Sequence, residues 1–268
     1  MDALRTKARE LLAAGAVQLV VGYAAGSEPG RARPCFVRTP AEADGLIWNE
    51  HCRQNLATYL QKPEVRAFGR VALVARPSTL RALLQLAAES QLGEGRVVAL
   101  FVTDDGAVAE LPTLAAIEEA VAQLPRGLTA AEHQELERIA ALPRAERWAF
   151  WAGEFARCIK CYACRAACPL CYCARCITEA NQPQWIPVSS DPLGNLEWNV
   201  VRAMHLAGRC IECGSCSDAC PEGLRLDLLN RVLAEEVRTQ FGAEPGLSLR
   251  KDYALASFRP DDKQEYIR

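Results

Sequence analysis

At 268 residues the chain is long enough for one large domain or two smaller ones, each with a hydrophobic core. Half of its residues are apolar and 24% are charged, an ordinary globular composition. A formal net charge of -2 leaves no global electrostatic case for nucleic acid or a membrane surface, and no stretch approaches the ~18 uninterrupted apolar residues of a membrane span.

The opening stretch, MDALRTKARELLAAGAVQLVVGYAAG, has the basic residues, apolar run and small residues of an export signal. Arg5, Lys7, Arg9 and Glu10 are nevertheless interleaved with Leu4, Ala8, Leu11 and Leu12 at helical spacing. The stretch therefore reads as a helix over 2–14, ended by Gly15, then a strand over 17–23, and the expected location is cytoplasmic. A Gly/Pro-rich loop and the short apolar piece CFVRT follow. The segment AEADGLIWNEHCRQNLATYL is predicted as one helix with Leu46, Trp48, Cys52, Leu56 and Leu60 inward. RVALVA and RVVALFVT read as buried strands flanking a helix in TLRALLQLAAESQL. This alternation over 1–110 favours a layered α/β domain with a largely parallel sheet.

Residues 111–155 read as a helical linker. Thr129 with Glu132 looks like a capping box at a helix start. Near its end Trp148, Phe150, Trp151 and Phe155 look like a packed anchor leading into the cysteines. Residues 156–232 hold the cysteine motifs, forming a ferredoxin-like domain, α+β or largely helical, with an insertion at 169–209. The remainder, 233–268, reads as an extended tail lying over another surface.

Eleven of the thirteen cysteines fall between 158 and 220, a density that in a chain of this length points to metal rather than to a disulfide scaffold. Two runs match. Cys158, Cys161, Cys164 and Cys168-Pro169 form the first; Cys210, Cys213, Cys216 and Cys220-Pro221 form the second. Each has the C-x2-C-x2-C-x3-C-P spacing of bacterial two-cluster ferredoxins. Three thiolates at that spacing wrap one corner of a cube while backbone N–H groups point at its sulfides. The fourth cysteine is expected to start a helix, with proline where a first-turn N–H would be unused. In those ferredoxins the fourth cysteine of each run binds the other cube. By that rule Cys158, Cys161, Cys164 and Cys220 hold one [4Fe–4S] cluster, and Cys210, Cys213, Cys216 and Cys168 hold the second. Zinc knuckles, the competing reading, favour paired C-x2-C units across a longer gap.

The insertion begins with three further cysteines, Cys171, Cys173 and Cys176. They are compatible with a further iron–sulfur or zinc centre completed by Cys35, Cys52, His205 or a partner, with a shifted register replacing Cys168, or with free thiols packed under the clusters. Arg157, Lys160, Arg165, Arg175 and Arg209 lie among the ligands, where cations raise reduction potential or meet an acidic donor, or simply solvate helix faces. No dinucleotide fingerprint, P-loop or histidine-based catalytic setting occurs. Asp104-Asp105-Gly106 reads as a turn. Ser78, Thr79 and Arg81 in ARPSTLR lie where α/β domains bind anions, though a helix cap and a surface arginine account for them more simply.

CIKCYACRAACPLCYCARC and QPQWIPVSSDPLGNLEWNVVRAMHLAGRCIECGSCSDACPEGLRLDLLNR resemble the dicluster ferredoxin-type subunits that accompany formate dehydrogenases, hydrogenases and heterodisulfide-reductase-like modules, as does the closing FRPDDKQEYIR. VVGYAAGSEPGRARPCFVRTPAEADGLIWNEHCRQNLATYL is similar to the beta subunit of deazaflavin-dependent hydrogenases and formate dehydrogenases. The resemblance implies single-electron relay through two [4Fe–4S] clusters inside a multisubunit anaerobic redox complex. That family carries a cysteine and an acid where this chain reads ARPSTLR, so flavin is expected on a partner and no catalytic residue is assigned. The alternative is a flavin-bearing subunit whose own α/β domain meets substrate. A zinc-dependent nucleic-acid binder is disfavoured by the balanced charge.

Overall fold

In the computed structural model the described residues are 2–103, 105–125, 128–179 and 182–251. Helix α1 (Asp2–Ala13) turns Leu4, Ala8 and Leu11 inward, the three-to-four-residue spacing of one helix face. Strand β1 (Leu19–Ala25) is buried over most of its length and pairs antiparallel with β2 (Ala32–Val37), which contains part of CFVRT.

The helix expected over 41–60 does not form. Two 3₁₀ turns, Pro40–Gly45 and Leu56–Gln61, stand there instead, with irregular chain between them. The Asn55 side chain accepts from the Ala57 N–H at 3.1 Å and so starts a fresh turn inside the expected helix. Four of the five expected inward residues are still inward: Leu46, Cys52 and Leu56 are fully buried and Leu60 nearly so, while Trp48 is only half-buried. Leu46 lies against β1 where Gly22 has no side chain; a Cβ there would collide with it.

After α2 (Pro63–Arg66) come β3 (Val71–Ala75), α3 (Pro77–Ala88), β4 (Val97–Val102) and β5 (Val108–Leu111). Among the described residues these strands form one five-stranded sheet in the order β2-β1-β3-β4-β5. Its centre is parallel, with Leu19 opposite Val71 and Val71 opposite Val97. Both outer pairs are antiparallel, so the sheet is more mixed than the sequence suggested. The unexpected edge strand β5 is joined to β4 by a tight turn in which Gly106 adopts φ 82.

Helix α4 (Leu114–Ala122), capped by Thr113, packs on α3. Helix α5 (Ala130–Ala140) begins with the Thr129–Glu132 capping box. Along α6 (Arg144–Ala156) the aromatic anchor is only half realised. Phe155 is buried and Trp151 stacks on it at 5.7 Å, but Trp148 is 59% exposed. The cysteine region contains α7 (Ala163–Ala167), a 3₁₀ turn (Ile177–Glu179), α8 (Pro192–Leu206), α9 (Ser215–Asp218) and α10 (Leu226–Phe241). Helix α10 runs through the start of the expected tail and stops at Gly242, φ 62. The chain then returns over α3 and α4: the Gly246 N–H donates to Gln85 Oε1 at 3.0 Å, and the Leu249 N–H to Glu118 Oε1 at 2.8 Å. FRPDDKQEYIR lies outside the described residues.

Two apolar clusters organise the interior. The larger surrounds the sheet and includes Leu170, Leu206 and Ile211 from the cysteine region. The smaller joins Phe155, Cys164, Trp198, Cys216, Leu224 and Leu226. Among the described residues no helix is long and apolar enough to cross a membrane.

Candidate metal centres

The two cysteine runs adopt the same backbone. In the first, Lys160 and Tyr162 have φ 52 and 59; in the second, Glu212 and Gly214 have φ 58 and 74. The left-handed residues thus occupy the same places between the first three cysteines of each run. Three of the four carry side chains, at a cost on the order of 1–2 kcal/mol each that something else must offset. The geometry shows what they accomplish: the Lys160 N–H points at Cys158 Sγ and the Glu212 N–H at Cys210 Sγ, both at 3.4 Å. Alternating conformations of this kind turn successive N–H groups toward one anionic centre. The short helices α7 and α9 follow directly and pack on each other. No helix begins at either Cys-Pro. Pro169 and Pro221 enter turns, and α10 starts only at Leu226.

Cys168, Cys210, Cys213 and Cys216 line one partly open cavity, walled by Leu206 and Ile211. Four sulfurs face it alongside the side chains of Glu212, Asp227 and Asn230, and it lies where the fourth cysteine of the first run meets the first three of the second. Burial pushes the Cys210 and Cys213 thiols up, and that of Cys216 up to about 12. Such thiols give up their protons to bound metal rather than to water. A four-iron cube is wider than a single ion, so its ligands must ring a void. Among the described residues no three His, Cys, Asp or Glu side chains are grouped so as to hold a single metal ion.

Cys158, Cys164 and Cys220 pack around the smaller apolar cluster with Tyr162, whose ring meets Trp198 edge-on at 5.1 Å. Cys161 is exposed. Cys164 and Cys216, the third cysteines of the two runs, share this cluster, so the two halves approach through apolar packing.

The additional triplet is dispersed. Cys171 stands in hydrogen-bonding contact with Cys168, an interaction that lowers the Cys168 thiol and raises that of Cys171. Cys176 packs with the smaller cluster and Cys173 is exposed. Of the residues considered as completing ligands, Cys52 is buried in the sheet core, Cys35 lies on β2 and His205 is exposed on α8.

Most of the basic residues read from the sequence are engaged. Arg157 pairs with Glu154 at 2.7 Å, Arg165 with Glu179, and Arg209 with Glu89, while Lys160 Nζ donates to the Pro187 carbonyl. Sequence reasoning missed Arg202. It lies on the buried face of α8 with Asn195, Trp198, Asn199 and Leu206, at helical spacing, and that charged residue within an inward stripe was the available signal.

The cysteine loops are fastened to the sheet domain at two neighbouring points. The Asn55 N–H donates to Ser215 Oγ at 3.0 Å, and Thr58 Oγ1 donates to the Ala166 carbonyl at 2.9 Å. Near them the supposed anion loop is otherwise occupied. Pro77 begins α3, Thr79 is fully buried, and Arg81 binds the Pro245 carbonyl at 2.9 Å and Glu244 at 3.4 Å.

Residues 157–225 match the family model of the 4Fe-4S dicluster domain. This segment is a 4Fe-4S dicluster domain. Its cofactors are two [4Fe–4S] clusters, and both cysteine runs fall inside it. The chain is also similar to the F420-dependent formate dehydrogenase subunit beta of Methanocaldococcus jannaschii, 35% identical over 106 residues, covering 39% of this chain and 26% of that protein. F420-dependent formate dehydrogenase 1 subunit beta of Methanococcus maripaludis is 32% identical over 110 residues, covering 41% and 28%. The matched region thus spans about a quarter of the length of these curated relatives.

Proposed function

We propose that this chain is the electron-relay subunit of a multisubunit oxidoreductase, with Cys158, Cys161, Cys164 and Cys220 holding one cluster and Cys210, Cys213, Cys216 and Cys168 the other. Bound [4Fe–4S] clusters take up and release single electrons. The observation that carries the reading is the cavity where Cys168, from the first run, stands with the first three cysteines of the second. It supports crosswise ligation, and the matched backbone of the runs supports two equivalent centres.

The chain's own residues supply the rest. Leu206 and Ile211 keep water from the inner centre, while the exposed Cys161 leaves the outer one accessible to another subunit. The partner is a flavin- or metal-bearing subunit of the formate dehydrogenase, hydrogenase or heterodisulfide-reductase-like class. Of these, the relatives' names support formate dehydrogenase, and the occupied ARPSTLR loop supports placing the flavin on the partner.

Replacement of Cys213 by Ser tests the assignment. Anaerobically prepared variant is expected to lose about half of its iron and to stop delivering electrons through the complex. Partner catalysis with a direct artificial acceptor survives. Full iron in the variant would overturn the ligand assignment.

A further inference from the structure

Arg202 is 5% exposed and stands between the two cysteine cages. One terminal nitrogen donates to the carbonyl of Cys164, in the first run, at 3.1 Å. The same side chain lines the cavity formed by Cys168, Cys210, Cys213 and Cys216. Its Nε is buried without a hydrogen-bond partner. Among the described residues Arg202 pairs with no carboxylate, whereas the similarly buried Arg231 is held by Glu132 at 2.6 Å and Asp227 at 3.2 Å. A guanidinium stays charged at any pH the protein meets, and burial without a counterion is unfavourable. Glu212 and Asp227 line the same cavity, but Glu212 is paired with Arg238 and Asp227 with Arg225 and Arg231, so the negative charge left to Arg202 is that of sulfur from both runs.

We infer that Arg202 is a shared counter-charge for the two clusters, a positioning residue that raises both reduction potentials together. The inference rests on the two-cluster reading above. Each cluster gains one electron, and so one negative charge, on reduction. A fixed cation in a low-dielectric interior favours that reduced form. Burial alone would lower the pKa of Arg202; the sulfurs of Cys168, Cys171, Cys164 and Cys216 outweigh it and raise the value.

The test uses the full chain, prepared anaerobically as Arg202→Gln and Arg202→Lys. Iron and acid-labile sulfide are measured per chain, and paramagnetic resonance follows a redox titration. Arg202→Gln is expected to keep its iron while both centres become harder to reduce. At a fixed applied potential the reduced-to-oxidised ratio falls at least tenfold, about 59 mV for a one-electron centre. Arg202→Lys keeps the charge and restores most of the shift. Should the Gln variant lose its iron, Arg202→Met, which fills the space without a polar group, carries the same expectation. Loss of iron from both neutral variants but not from Lys supports the counter-charge in its strongest form. Unchanged potentials in an iron-replete Gln or Met variant overturn the inference, as does a Lys variant shifted as far as the neutral ones. An unsubstituted chain free of iron and sulfide takes down the two-cluster reading itself, and this inference with it.

Discussion

The carboxylate of Glu89, with a side chain 1% exposed, receives two hydrogen bonds from the guanidinium of Arg209, one of them at 2.8 Å. Gln85 Nε2 donates to it at 2.7 Å and the Tyr172 hydroxyl at 2.5 Å, and Arg209 lies over the Tyr172 ring at 5.1 Å. Glu89 follows the last residue of α3, and Arg209 immediately precedes Cys210. This buried pair fixes the second cysteine loop to the sheet domain.

Removing one partner of such a pair leaves the other charge stranded. Glu89→Gln is expected to destabilise the protein by about 3–5 kcal/mol, measured by anaerobic denaturant unfolding. The acid dependence has a definite sign. Burial would raise the Glu89 pKa, but bonds from Arg209, Tyr172 and Gln85 outweigh it and hold the value below 4.5. The pair's contribution is therefore complete above about pH 4.5 and fades as pH falls through the depressed folded value. In the Gln variant that part of the acid limb disappears.

Crosswise ligation predicts which cysteines behave alike. Cys168→Ser should abolish the same resonance signal as Cys210→Ser, although Cys168 follows the first run. Cys220→Ser should abolish the other. Matching of Cys168→Ser with Cys158→Ser would show instead that each run serves its own cluster.

Gly214 occupies a left-handed position, φ 74, where an added Cβ would meet no atom within 4 Å. Substitution there is governed by backbone conformation alone. Gly214→Ala is expected to cost about 1–2 kcal/mol, and Gly214→Asn less, since Asn tolerates this region. Thermal melting under argon, with iron content held equal, separates the two.

Thr58 is 5% exposed and bonds the carbonyl of Ala166 in the first cysteine run. Thr58→Val keeps the shape but leaves that carbonyl without its donor. About 1–3 kcal/mol of stability should be lost, read by the same melting experiment.

The cysteine runs were legible because cluster chemistry dictates ligand spacing whatever surrounds it. Strands β3 and β4 were legible because both faces are covered and the residues are uniformly apolar. The stretch 41–60 shows where pattern misleads. Leu46, Cys52, Leu56 and Leu60 are buried as the periodicity implied, yet Asn55 is drawn to the cysteine loop at Ser215, a contact across 160 residues that no local window contains. The short edge strand β5, VAEL, is half-exposed and offered little pattern. Arg202 escaped notice because it is separated in sequence from both motifs, and only the packing of α8 brings it between them.

Leu170, Leu206 and Ile211 belong to the same apolar interior as the strands. Among the described residues the cysteine region and the sheet therefore share part of one interior. A molecule synthesised when iron is scarce would lack the filling of the inner cage and carry that defect into the packing beneath its sheet. Cellular proteases act on populations destabilised by only a few kcal/mol. Starved cells are therefore expected to clear the empty polypeptide rather than store it, so that its abundance follows the supply of its inorganic parts.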